Sequence, residues 1–80
     1  MMNEELYKQA FIKTFSLTGE PDGLQVNSIS EWDSVGHMLL IEEIETTFNI
    51  LLDAEDIIGL TSYEQGKKII TNILQRVPST

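Results

Sequence analysis

The chain has no cysteine. Disulfides, thiolate metal sites and a cysteine nucleophile are therefore excluded, and the redox compartment is left open. No apolar run approaches the roughly 18 residues of a membrane span, so no membrane span is expected. The start, Met1-Met2-Asn3-Glu4-Glu5, lacks the basic-then-apolar pattern of a signal peptide, and a cytoplasmic location is expected. Positive charge is missing from the middle: no Lys or Arg stands between Thr14 and Gly66. That span holds Glu20, Asp22, Glu31, Asp33, Glu42, Glu43, Glu45, Asp53, Glu55, Asp56 and Glu64. The five basic residues, Lys8, Lys13, Lys67, Lys68 and Arg76, lie towards the ends. Such a middle repels nucleic acid and anionic membrane and attracts basic protein surfaces. The plainer reading of the net charge of -8 is solubility.

What is present is a short chain with helical periodicity. Eighty residues make one small domain with a thin core and no room for a deep catalytic cleft. A single domain over residues 1–77 is expected, with 78–80 (Pro-Ser-Thr) as a frayed tail. Asn3 is placed to cap a helix with Glu4 and Glu5 in its positive first turn. Leu6, Ala10, Phe11 and Phe15 recur at helical spacing and predict a helix over 4–15, with Leu17 placed to close its end. Gly19-Glu20-Pro21-Asp22-Gly23 breaks the chain. A long connection follows to Asp33. Its apolar residues Leu24, Val26, Ile29 and Trp32 imply that it lies against the core.

Ser34 is placed to cap a second helix over 35–48, with Leu40, Ile41, Ile44 and Phe48 in one stripe and Met38 at its edge. Gly36 and Glu43 fall on the other side, and Asn49 ends the helix. Ile50-Leu51-Leu52 has no second strand candidate to pair with and reads as a buried crossing segment. Asp53 caps a short helical turn over 54–58, stopped by Gly59. Thr61-Ser62-Tyr63-Glu64 has capping-box spacing and opens a last helix over 62–76. Its inner face is Ile69, Ile70, Ile73, Leu74 and Val77, and its outer face Lys67, Lys68 and Arg76. The expected fold is all-α: three main helices, one short helix and a long first loop, packed as a small four-helix bundle.

The segment from Glu31 to Ile50 resembles the acyl carrier protein family. That family carries Asp-Ser-Leu at the start of its second helix, then an apolar and acidic helix ending in Glu-x-x-Phe-x-Ile. The match here is Asp33-Ser34-Val35 and Glu45-Thr46-Thr47-Phe48-Asn49-Ile50. Downstream, Asp53-Ala54-Glu55-Asp56 resembles the family's short acidic helix, and Leu60-Thr61-Ser62 the Thr-led start of its last one. The likeness covers about Glu31 to Leu74. It implies a free-standing, acyl-carrier-like bundle whose Ser34 carries a covalent 4'-phosphopantetheine arm. A separate phosphopantetheinyl transferase would place the arm, with Asp33 helping that enzyme dock. It implies acyl or aminoacyl cargo held as a thioester, no enzymatic activity of its own, and a monomer. Partner enzymes with basic patches, an acyl or aminoacyl ligase or transferase among them, would serve fatty-acid or secondary-metabolite biosynthesis. Leu39, Glu42, Glu43, Glu45, Asp53, Glu55 and Asp56 are the expected partner-binding residues.

Three departures qualify the likeness. Val35 replaces Leu. Gly36 stands where many relatives have an acid, which removes a docking charge and weakens the first turn by roughly 1 kcal/mol against Ala. Leu39 stands where many show an acid, and either touches a partner or packs under the first loop. Together they point to specialised partners. The Gly-Gly-x-Ser lead of peptidyl carriers is absent, since Glu31-Trp32-Asp33 precedes Ser34.

Other readings compete at the same residues. Ser34 alone is an ordinary helix cap, and an unmodified acidic interaction module is the alternative to a carrier. His37 lies three residues after Ser34 and invites a Ser-His hydrolase. A third orienting residue and a glycine-rich oxyanion segment are both lacking. The stretch from Asp53 to Glu64 has the length of a calcium loop, but Ile58 holds the place where the turn needs glycine. No metal site is expected. Met38 and Phe48 read as core. Trp32 either anchors the loop or flanks the arm.

Overall fold

Asn3 starts the first helix: its Oδ1 accepts from the Glu5 and Leu6 amides at 3.0 and 3.1 Å. In the computed structural model, which describes residues 2–76, four helices follow in order. They are α1 (Glu4–Phe15), α2 (Ser34–Phe48), α3 (Ala54–Gly59) and α4 (Tyr63–Arg76). The fold is the small all-α bundle expected, with one short helix and one long first loop. Val77 and the tail 78–80 lie outside the described residues. None of the described helices is long and apolar enough to cross a membrane.

α1 buries Tyr7, Ala10, Phe11 and Phe15. Leu6, expected inside, is exposed, and Tyr7 takes its place. The exchange works because the Tyr7 hydroxyl donates to the Tyr63 carbonyl at 2.7 Å, so the ring is buried without an orphaned polar tip. Burial holds the Tyr7 phenol far above the usual range. Phe11 is the hub of the core. It meets Trp32 edge-on at 5.4 Å and Tyr63 edge-on at 4.9 Å between ring centroids. Edge-to-face pairs of this kind add about 0.5–1.5 kcal/mol each beyond their buried area. α2 supplies Leu40, Ile41 and Ile44 to the same core, α4 supplies Ile70 and Ile73, and the connections supply Leu52 and Leu60.

The first loop lies against the core, as its apolar content implied. Trp32 and Pro21 are fully buried, and Leu24, Val26 and Ile29 are partly so. Two bonds tie the loop to the start of α4: Tyr63 N–H to the Leu24 carbonyl and Val26 N–H to the Thr61 carbonyl, both 2.9 Å. They form an isolated antiparallel bridge, Gln25 to Ser62.

Four local expectations need correction. The cap of α2 is Asp33, whose Oδ1 accepts from the Gly36 amide at 2.8 Å; Ser34 is already the first helical residue. A carboxylate is an equally apt acceptor and adds charge at the positive helix end. The cap of α4 is Ser62, whose Oγ accepts from the Gln65 amide at 3.0 Å, so the helix begins at Tyr63 and the Thr61–Glu64 box does not form. Gly36 faces inward and is buried. In the crossing segment Leu52 is buried and Ile50 half-buried, but Leu51 is 86% exposed. Asn49 and Asp53 act as expected: Asn49 ends α2 in the left-handed region, at φ 55°, and Asp53 caps α3 by accepting from the Asp56 amide at 2.8 Å.

Candidate functional site

The loop enters α2 through a tightly bonded corner. Trp32 N–H donates to the Ile29 carbonyl at 3.1 Å, Asn27 N–H to the Trp32 carbonyl at 2.8 Å, and His37 N–H to the Asp33 carbonyl at 2.7 Å. Gly36 makes the corner possible. A Cβ built there would collide with the Glu31 carbonyl oxygen and crowd the Phe15 ring at 3.3 Å. The absent acid at this position therefore removes nothing from the outer surface; the position faces the loop backbone. Trp32, wedged between Phe11 and Phe15, anchors the loop.

Ser34 projects from this corner and is exposed. It sits in the first turn of α2, which contains no acidic side chain. Asp33 takes one amide of that turn, and the turn's remaining free N–H groups and the helix dipole favour an anion. Two open grooves start at Ser34. One, about 570 Å³, is lined by Ser34, Val35, Met38, Leu39, Ile41, Glu42 and Glu45. The other, about 370 Å³, runs between α2, the loop and α3 past His37, Met38, Ile57, Ile58 and Leu60. Ser34 and Met38 belong to both.

Val35, Met38, Leu39 and Glu42 follow one another at helical spacing and are all exposed. α2 thus has a second apolar stripe turned to solvent. Met38, read as core, is 52% exposed; Leu39 is 53% exposed and does not pack under the loop. Sequence reasoning singled out Leu39 but missed the rest of this stripe, together with Ile58. The signal was available: α2 carries more apolar side chains than one inward face can hold.

The expected partner-binding acids separate into groups. Glu42 and Glu45 line the larger Ser34 groove. Glu45 is also structural: its Oε2 accepts from the Leu52 amide at 2.9 Å. Glu43 turns towards α1, 3.4 Å from the Lys13 Nζ. Asp53 caps α3, Glu55 is exposed, and Asp56 lines a cleft against α4 with Ile69, Asn72 and Arg76. None of these α3 acids lines either Ser34 groove. Lysines also reach into the acidic span: Lys8 lies 3.3 Å from Glu20 and Lys67 3.5 Å from Glu64.

His37 is not a base for Ser34. Its Nδ1 accepts from the Trp32 indole N–H at 2.9 Å, and its Nε2 meets the Ile57 carbonyl at 2.8 Å. Both ring nitrogens are therefore occupied away from the serine. The calcium-loop stretch is broken by α3, and no group of three or more His, Asp or Glu among the described residues could hold a metal ion. Ser34 is thus an exposed hydroxyl at a hydrogen-bonded corner, at the head of two open grooves. Compared with family models, curated proteins and solved structures, the chain matched none of them.

Proposed function

We propose that the chain is an acyl carrier protein, with Ser34 as the attachment point of a 4'-phosphopantetheine arm. The observation that carries this reading is the setting of Ser34. It is an exposed hydroxyl on the first residue of α2, at the head of two grooves and beside the exposed Val35–Met38–Leu39–Glu42 stripe. The hydroxyl has no base of its own, because the nearby imidazole is occupied elsewhere. A transferase must supply the base and bring coenzyme A as donor. When attached, the arm supplies a terminal thiol on which acyl or aminoacyl groups ride as thioesters.

The chain's own part is presentation. Asp33, Gly36 and Trp32 hold the corner rigid, so that the serine meets an enzyme in one geometry. The apolar stripe gives a partner a small area to bury, and Glu42 with the other unpaired acids steers basic surfaces towards it. Contacts of this kind are fast, weak and salt-sensitive, which suits a protein that must leave each partner. The implied partners are a phosphopantetheinyl transferase and an acyl or aminoacyl ligase or transferase with basic patches.

The test is intact-protein mass after incubation with coenzyme A, magnesium and a broad-specificity phosphopantetheinyl transferase, beside a Ser34→Ala control. One phosphopantetheinyl group on the wild type and none on the variant is the expected result. No addition to folded protein, with the same enzyme active on a control carrier, favours an unmodified interaction module that uses the same stripe.

A further inference from the structure

His37 joins two parts of the fold that the helices alone leave loosely connected. α3 has six residues and buries none of them fully. Its Ile57 carbonyl lies in the last turn, where helical carbonyls lack a helical partner, and His37 Nε2 meets it at 2.8 Å. On the other edge of the ring, Nδ1 accepts from the Trp32 indole at 2.9 Å. The two ring planes are nearly parallel, at 14° with 6.2 Å between centroids. An indole nitrogen only donates, so Nδ1 carries no proton and Nε2–H donates to Ile57. Only the neutral Nε2–H tautomer makes both bonds.

A second proton on the ring ends this arrangement on one side. Nδ1–H would then face the indole N–H, donor against donor. Rotating the ring does not help, because both nitrogens now carry hydrogen. The Ile57 carbonyl keeps its partner. Trp32 does not, and it is fully buried, so its N–H would be left without an acceptor in a fold where every buried side-chain polar atom among the described residues now has one. The titratable groups on the surrounding elements are Glu20, Asp22, Glu31 and Asp33 of the loop, Asp53 at the cap of α3, Glu55 and Asp56 within it, and Glu42, Glu43 and Glu45 of α2. Neither of the ring's two hydrogen bonds goes to a carboxylate.

We propose that His37 is a proton-sensitive latch that fixes the corner carrying Ser34, closed when its ring is neutral and released from Trp32 when the ring is protonated. Ser34 follows Trp32 by two residues, so release loosens the segment that presents the serine and moves one wall of the smaller groove. His37 is a positioning residue here. The inference does not depend on what Ser34 carries, because the latch is complete in the unmodified chain.

The experiment uses Trp32, the only tryptophan, as its own probe. Acrylamide quenching of its fluorescence is measured across acidification, while the His37 ring protons are followed by NMR in the same samples. Quenching is expected to rise in step with the His37 titration, as the ratio of open to closed corner grows by about tenfold or more from the lost acceptor. His37→Gln offers an acceptor and a donor without a titratable nitrogen, and its quenching is expected to stay low and flat over the same range. His37→Phe is expected to be quenchable at every pH. Quenching that stays constant while the ring titrates, or a Gln variant that follows the wild-type curve, overturns the proposal. Should the Gln variant fail to fold, the wild-type comparison of ring titration with quenching decides alone.

Discussion

Replacing Gly36 by alanine separates local propensity from tertiary contact, because the two predict opposite signs. Helix propensity alone favours alanine by about 1 kcal/mol in a helix interior. The corner opposes it: the new methyl would fall against the Glu31 carbonyl oxygen and the Phe15 ring. Overpacking costs about 1–3 kcal/mol, and the upper end applies because the obstacle is backbone, which cannot rotate aside. The net expectation is a loss of about 2 kcal/mol, set by the same two ranges. In a domain of this size that lowers Tm by roughly 10 °C. Thermal unfolding followed by circular dichroism measures it. Gly19→Ala is the control, since a Cβ there meets nothing within 4 Å, and its Tm should hardly move. A Gly36→Ala protein that melts at or above the wild-type temperature would mean that the loop does not cross the first turn of α2.

Asp33→Ala is expected to cost about 1 kcal/mol as a lost cap, whereas Ser34→Ala should stay within about 0.5 kcal/mol; urea denaturation of both tests which residue caps α2. Burial raises the pKa of both Tyr7 and Tyr63. Their neutral forms therefore stabilise the fold fully below the ordinary tyrosine value of about 10, and that stability is lost as pH climbs from there towards the folded-state values. Alkaline unfolding should accompany tyrosinate formation, and Tyr7→Phe should shift its onset upward; an onset unchanged by that substitution refutes the assignment. Added salt should raise Tm by screening the acids of the central span, though less than eleven free carboxylates would imply, because Glu20, Glu43 and Glu64 already meet lysines. A Tm that does not change with ionic strength would contradict this.

Part of the helix plan was legible because some helix ends rest on residues that act locally. Asn3, Asn49 and Asp53 do their work within a few residues of themselves. Adjacent candidates were not resolved: Asp33 and Ser34 are both good caps, as are Thr61 and Ser62, and only the backbone shows which one stands outside the helix. Periodicity found the inner stripe of α2 at Leu40, Ile41 and Ile44 and passed over the outer one, since an apolar residue does not announce which stripe it joins. The rest is long-range. Gly36 is glycine because Glu31 crosses it, and Glu43 is drawn to α1 by Lys13. His37 is held by a residue five positions before it and another twenty after it. No local pattern carries such pairings.

The central claim concerns one oxygen atom, and it can be examined in protein recovered from the cells that make it. Trypsin has no site between Lys13 and Lys67, so Ser34 travels in the single peptide Thr14–Lys67, whose mass and fragments report any attached group. The account predicts this peptide with one phosphopantetheinyl group, and fragment ions that assign it to Ser34. A peptide found only in unmodified form, or modified at another residue, would contradict it.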